Sequence, residues 1–174
     1  AQQHGHMEDV GYDMYLRLLG DAVSEEKGEE NPDRDIDCLV DIHIEAHIPE
    51  DYIENLNHRL EIYRRISEIR TEEDLSDVTD ELIDRFGDPP KSVLGLLTIA
   101  LVRSQAEGSG IYEIKQRDGY AMMFVRNIKT PAVAVIISRM KSRATLSATN
   151  KPYIALTMQP NETILDLLCQ HLDI

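Results

Sequence analysis

The apolar positions of the chain change their spacing several times, and each spacing predicts a different secondary structure. Between residues 39 and 48 apolar and polar residues alternate, which predicts a half-buried strand. From residue 51 to 106 apolar residues recur every three or four positions, which predicts three successive helices. The side chains of the strand that we expect to face the core are Val40, Ile42, Ile44, Ala46 and Ile48. The three predicted helices cover residues 51–70, 71–86 and 90–106.

Local signals support these helix boundaries. The sequence Thr71-Glu72-Glu73-Asp74 has the form of a capping box, which starts a helix. Gly87 suits the left-handed residue after a helix end, and the two prolines that follow it prevent the helix from continuing. Apolar residues cover most of the circumference of the third helix. We therefore expect this helix to be buried at the centre of the domain.

The C-terminal third mixes strands with helices. Asp118-Gly119 between two apolar runs is a strong hairpin signal. We predict strands at 111–116, 120–125, 146–148 and 153–158, and helices at 131–141 and 162–172, the last of them capped by Asn161. The resulting order is β-α-α-α-β-β-α-β-β-α, which predicts an α+β fold with a small mixed or antiparallel sheet and a three-helix block.

Two further segments precede this domain in our reading. Residues 11–23 carry an apolar stripe at helical spacing, which predicts an amphipathic helix within a separate N-terminal segment, 1–23. Residues 24–36 are acidic, lack a core-forming pattern and contain glycine and proline, which predicts a linker. The domain itself then covers 37–174. Because the first residue is not methionine, we expect the chain to be a piece of a longer protein.

Composition narrows the possible functions. The 174 residues include 32 acidic and 18 basic side chains, for a net charge of −14, and 42% are hydrophobic. Such a chain can form a core, but its charge disfavours general binding to nucleic acid or anionic membranes. No apolar run is long enough to span a bilayer, and two cysteines make no disulfide framework. We therefore expect a cytoplasmic protein.

A search for chemistry finds no catalytic, cofactor or metal site. The sequence contains no glycine-rich phosphate loop and no recognised nucleophile motif. The best metal candidates, His43 and His47, lie in the predicted strand, where two residues four apart are about 13 Å from each other. That distance is too great for one ion. An enzyme with a site that leaves no motif stays an alternative.

The second predicted helix carries an acidic face. On a helical projection, five acidic residues gather within about 100° on the side opposite Leu75, Val78, Leu82 and Phe86. A solubilising face normally mixes both signs, so we interpret this one as a candidate partner-binding surface for a basic, arginine-bearing protein. The competing interpretation is an ordinary solvated helix face. The residues that we assign to binding are Asp77, Asp80, Glu81 and Asp84, with Glu73 beside them.

Three sequence blocks, 48–53, 57–66 and 81–90, resemble the C-terminal domain of bacterial transcription-repair coupling factors. The similarity is close from about Asp37 to Gly110 and loose after that. The N-terminal residues 2–15 resemble the end of the translocase region of that family, and Gln3 falls on the glutamine of its translocation motif. The upstream arginines and all ATPase motifs are missing from this chain. The resemblance therefore implies ATP and magnesium for the intact protein but no catalysis by this fragment.

The resemblance also implies a regulatory function. Intact family members displace stalled RNA polymerase using ATP and recruit the excision-repair protein UvrA. Their C-terminal domain packs on the protein's own UvrB-like module and hides the UvrA-binding surface. Carried over to this sequence, the acidic contact residues are Glu81 and Asp84, while Arg85 is either part of the contact or an internal partner. A free-standing adaptor that binds a separate basic protein is the alternative, and neither reading gives the domain a direct nucleic-acid or membrane partner.

Overall fold

The computed structural model describes residues 38–172, apart from the side chains of Met140 and Lys141. The N-terminal segment 1–23 with its predicted helix, the predicted linker 24–36 and Gln3 lie outside this part of the chain. Within it the α+β prediction and the predicted order of elements are confirmed. The strands are β1 (Leu39–Asp41), β2 (Ile111–Arg117), β3 (Tyr120–Val125), β4 (Ala144–Ser147) and β5 (Tyr153–Thr157). The helices are α1 (Leu56–Ser67), α2 (Glu72–Phe86), α3 (Lys91–Gly108), α4 (Pro131–Met140) and α5 (Ile164–Leu172), with a short 3-10 turn at Lys141–Arg143.

The strands form one mixed sheet in the order β1-β2-β3-β5-β4. Only β1 runs parallel to its neighbour, and Val40 lies opposite Ile114 in that pair. The remaining pairs are antiparallel. Asp118 and Gly119 join β2 to β3 with φ angles of 39° and 82°, the positive values that a tight hairpin turn requires.

The core lies between one face of the sheet and the helices. Alternate residues of β3, namely Ala121, Met123 and Val125, are fully buried against them. Helix α3 contacts the sheet, and it also contacts α1, α2 and α5. Most of its residues are buried, which confirms the prediction of a central helix. The sheet and the pair α1–α2 therefore pack on different sides of α3.

The predicted strand at 39–48 is only partly confirmed. Its first three residues pair with β2, and the chain then leaves the sheet as an extended segment, bent at Ile44, whose side chains still alternate between core and solvent. This segment crosses α3 at Gly95, where an added Cβ would lie 3.0 Å from the carbonyl oxygen of Glu45. It ends at Ile48, whose N–H donates to the Tyr63 hydroxyl at 2.9 Å. Packing on a helix thus replaces strand pairing.

Several boundary predictions were wrong, among them the end of the first helix, which lies at Ser67 rather than at residue 70. Helix α1 begins at Leu56 rather than at residue 51, because the Asn55 side chain accepts from the N–H groups of residues 57 and 58. Leu56 itself is 54% exposed and lies outside the core. The last helix begins at Ile164, where Thr163 and Asp166 exchange capping hydrogen bonds, whereas Asn161 has a φ of 67° in the preceding turn. Strand β4 begins two residues earlier than expected.

Candidate partner-binding surface

Helix α2 has well-defined ends, which fixes the direction of its side chains. Thr71 Oγ1 accepts from the Asp74 N–H at 3.1 Å, and Asp74 Oδ2 accepts from the Thr71 N–H at 2.9 Å. The backbone N–H of Arg70 also donates to Asp74, and these hydrogen bonds hold the pKa of Asp74 below its usual value. At the other end Gly87 has a φ of 85°, and its N–H donates to the carbonyl of Ile83. The predicted capping box and glycine stop are confirmed.

Four acidic side chains line the outer side of α2. At 100° per residue, Glu73, Asp77, Asp80 and Asp84 fall within about 60° of one another on the side opposite Leu82. All four are exposed, and none makes an ion pair or a side-chain hydrogen bond within residues 38–172. The set spans about 16 Å along the helix. We call these four residues the acidic ridge.

Glu81 does not belong to this ridge. It is rotated toward α1, where its carboxylate lies 2.6 Å from Arg85 and 3.3 Å from Arg65. Arg85 in turn lies 3.2 Å from Glu61, so residues of both helices form one alternating ion-pair cluster. Glu81 therefore has basic partners within the domain, whereas Asp77, Asp80 and Asp84 make no ion pair among residues 38–172. The ion-pair cluster comprises Glu61, Arg65, Glu81 and Arg85.

Arg85 is an internal partner, which resolves the alternative that the sequence left open. Its hydrogen bonds to Glu61 and Glu81 raise the pKa of Arg85, and the same contact lowers the pKa of Glu61. The guanidinium carbon also lies 4.9 Å from the centre of the Phe86 ring. The end of α2 is fixed further by Tyr52, whose hydroxyl donates to the Gly87 carbonyl at 2.8 Å. The ion-pair cluster thus ties α2 to α1 and leaves the acidic ridge outside.

Sequence reasoning missed Glu61 and Arg65 as partners of the acidic helix. Two signals for them exist in the sequence. Glu61 and Arg65 are four apart on α1, and Glu81 and Arg85 are four apart on α2, both with the acid first, which is the favourable orientation. Two such pairs on consecutive antiparallel helices can exchange partners across the helix interface, as they do here.

Other groups that the sequence singled out do not form a site. His43 and His47 are exposed in the extended segment. Among residues 38–172 no three histidine, cysteine or acidic side chains are grouped as metal ligands. Cys38 is buried, and burial raises the pKa of the partly buried Cys169 thiol. Each helix in this range is too short or too polar to cross a bilayer.

The fold and this surface define an α+β domain with four exposed carboxylates along one helix. Residues 42–135 match the family model described as the TRCF domain, which is more than half of the chain. The chain therefore belongs to the TRCF domain family. All four residues of the acidic ridge lie inside the matched range.

Curated relatives and a solved structure agree with this assignment. The chain is 42% identical over 118 residues to a transcription-repair-coupling factor from Staphylococcus epidermidis RP62A. It is 39% identical over 118 residues to that of Staphylococcus haemolyticus. These alignments cover 67% of this chain but 10% of each relative, so the chain spans about a tenth of their length. A crystal structure of the C-terminal domain of a transcription-repair coupling factor has the same fold, with a TM-score of 0.69, 24% identity, and coverage of 78% of this chain and 88% of that one.

Proposed function

We propose that this chain is the regulatory C-terminal part of a transcription-repair coupling factor. In this proposal the domain docks on the protein's own UvrB-like module and covers the surface that binds UvrA until RNA polymerase is engaged. The intact protein supplies ATP-driven movement and the contact with polymerase. The observation that carries the proposal is the acidic ridge, because four exposed carboxylates that make no ion pair among residues 38–172 are a natural complement to an arginine-bearing surface.

The two acidic residues implied by the family resemblance have different parts in this contact. Asp84 belongs to the acidic ridge and is free to accept hydrogen bonds from an arginine of the partner. Glu81 is already paired with Arg65 and Arg85, and its side chain is 25% exposed. It can contribute only by sharing or exchanging these partners. We therefore assign the direct contact to Asp84 and its ridge neighbours Asp77 and Asp80, and a supporting part to Glu81.

A weak contact is sufficient for such a mask. The two modules belong to one chain in this proposal, so docking occurs at an effective concentration of the order of mM. Release then needs only a modest change, such as a competing contact in the complex with polymerase. Because the charges are exposed, the contact should also weaken as salt rises.

The direct experiment measures binding of this chain to the isolated UvrB-like module of a transcription-repair coupling factor by calorimetry at low and moderate salt. The variant Asp80→Asn/Asp84→Asn removes two charges of the acidic ridge. The matched control Glu54→Gln/Asp118→Asn removes two exposed charges elsewhere. We expect the ridge variant to bind about tenfold more weakly or worse, since charge-assisted hydrogen bonds contribute about 1.5–3 kcal/mol each. Equal loss in both variants, or none in either, would contradict a docking role for the ridge.

A further inference from the structure

The outer face of the sheet carries a row of aromatic side chains. The residues of β3 that are buried against the helices, Ala121, Met123 and Val125, alternate along the strand with Met122 and Phe124. Met122 and Phe124 therefore point to the opposite face of the sheet. Phe124 pairs with Tyr153 of β5, and their ring centres are 5.5 Å apart. Tyr112, at the bulge in β2, lies 6.3 Å from Phe124. We call Tyr112, Phe124 and Tyr153 the aromatic row. It crosses three adjacent strands, and each of its members is only partly buried.

Basic residues surround the aromatic row. Lys115 lies 5.9 Å from the Phe124 ring centre and pairs with Glu113 at 2.7 Å. Arg126 and Lys151 are exposed, two residues after Phe124 and two residues before Tyr153. Backbone hydrogen bonds place both at the end of the sheet that holds the row, since Arg126 N–H donates to Gly110 and Val125 N–H donates to Pro152.

The acidic charge of the domain lies elsewhere. Residues 38–100 contain 15 acidic and 6 basic side chains, whereas residues 101–172 contain 5 acidic and 9 basic ones. The acidic ridge is on α2, and α2 is separated from the sheet by α3. The segment that supplies β2 to β5 therefore has more basic than acidic side chains, although the whole chain carries −14. The row and its basic neighbours are spread over about forty positions and meet only across strands, so the linear sequence gave no sign of them.

We propose that the outer face of this sheet binds single-stranded nucleic acid. Unpaired bases stack on aromatic side chains of neighbouring strands, and cations beside the row contact the phosphates. An apolar protein surface would fill the same face without requiring aromatic rings or flanking cations. A duplex keeps its bases stacked and paired, so it offers nothing for the row to stack on. Binding should show little sequence preference, because every base has a π-face.

The probes are three labelled nucleic acids of twelve nucleotides or base pairs: oligo-dT, oligo-U and a duplex. Their binding to the 174-residue chain is followed by fluorescence anisotropy at 50 mM salt. Comparison of the two single strands shows whether the ribose hydroxyl contributes. We expect both single strands to bind and the duplex to bind much more weakly. No binding of single strands at 100 μM protein, or equal binding of the duplex, would overturn the proposal.

Variants separate stacking from simple burial. Phe124→Leu and Tyr153→Leu keep an apolar side chain but remove the ring, and each should weaken single-strand binding by about fivefold or more. Lys151→Glu should weaken single-strand binding as well. Lys91→Glu makes an equal change in charge at the start of α3, away from the aromatic row, and should have a much smaller effect. Circular dichroism checks that the variants fold. If the leucine variants fold and bind as well as the parent, the face does not stack bases. Equal losses of binding in the two lysine variants would show that binding depends only on net charge, which would overturn the proposed site.

Discussion

At the scale of single residues, Glu81 and Asp84 differ in their surroundings although they lie close together on α2. They are three positions apart on one helix, yet Glu81 holds two arginines and Asp84 is exposed without an ion pair in the described part of the chain. About 60° of rotation separates them. This rotation decides whether a carboxylate stabilises the domain or is available to a partner.

Stability measurements should separate the two residues. Glu81→Gln removes the negative charge from both ion pairs with arginine, so we expect it to lower the free energy of unfolding by up to about 1 kcal/mol, as for partly exposed ion pairs. Asp84→Asn should change it by less than about 0.5 kcal/mol, and removal of like-charge repulsion with Asp80 favours a slight gain. Urea denaturation of both variants tests this. A larger loss for Asp84→Asn than for Glu81→Gln would contradict the assignment.

His171 gives the domain a pH dependence. Its side chain is buried, and neither ring nitrogen has a hydrogen-bond partner within the described residues. Burial lowers its pKa below the ordinary value of 6.5, and Arg143 and Arg139 lower it further while Glu162 opposes them. The unfolded chain therefore binds the proton more readily. Stability is fully present above about pH 6.5 and falls as the pH is lowered.

The measurement is the unfolding free energy between pH 7 and pH 5, a window above the titration of the carboxylates whose pKa values are lowered, such as Glu162. We expect His171→Leu to flatten the dependence. His47→Gln, which removes an exposed histidine, should leave it unchanged. A slope that persists in the His171 variant would assign the effect to another group.

At the scale of elements, the contact between α3 and the extended segment depends on a glycine. An added Cβ at Gly95 would lie 3.0 Å from the Glu45 carbonyl oxygen, a backbone atom that cannot rotate away. Gly95→Ala should therefore destabilise the domain by about 1 kcal/mol, because overpacking outweighs the better helix propensity of alanine. Gly108→Ala on the same helix meets nothing within 4 Å and should be neutral or stabilising. Thermal unfolding of the pair checks the close approach, and a gain from both substitutions would contradict it.

The elements also show what periodicity can and cannot predict. Alternation correctly identified the buried side of residues 40–48, because inward and outward positions of an extended chain alternate whether or not it pairs with another strand. It could not show that pairing stops at Asp41, since that depends on the close approach to Gly95. The capping box at Thr71 and the turn at Asp118 were predictable because their chemistry is local.

The acidic ridge could be predicted from the sequence, but its boundary with the ion-pair cluster could not. The helical projection placed Asp77, Asp80 and Asp84 on the outer side of α2, which the structure confirms as exposed. It placed Glu81 on the same face, which is wrong, because the position of Arg65 on α1 determines where this carboxylate turns. The aromatic row on the sheet was invisible in the sequence, because it depends on the register of three strands.

At the scale of the whole molecule, charge is segregated across the domain. The acidic ridge lies on α2 on one side of α3, and the sheet with its basic residues lies on another. A domain built this way presents different chemistry to partners on different sides. In the proposed function, the acidic ridge docks on a basic module and the outer face of the sheet stays accessible to other partners.

Masking by the acidic ridge is tested most directly by UvrA binding to the intact parent protein. The comparison is between the parent protein, its Asp80→Asn/Asp84→Asn variant and the matched control Glu54→Gln/Asp118→Asn, each checked for folding and measured by equilibrium binding without polymerase. Loss of the ridge contact should release the domain from the UvrB-like module and uncover the UvrA-binding surface. The ridge variant should therefore bind UvrA about tenfold more tightly, while the control binds like the parent. Unchanged UvrA affinity in a folded ridge variant would contradict the masking role of this surface.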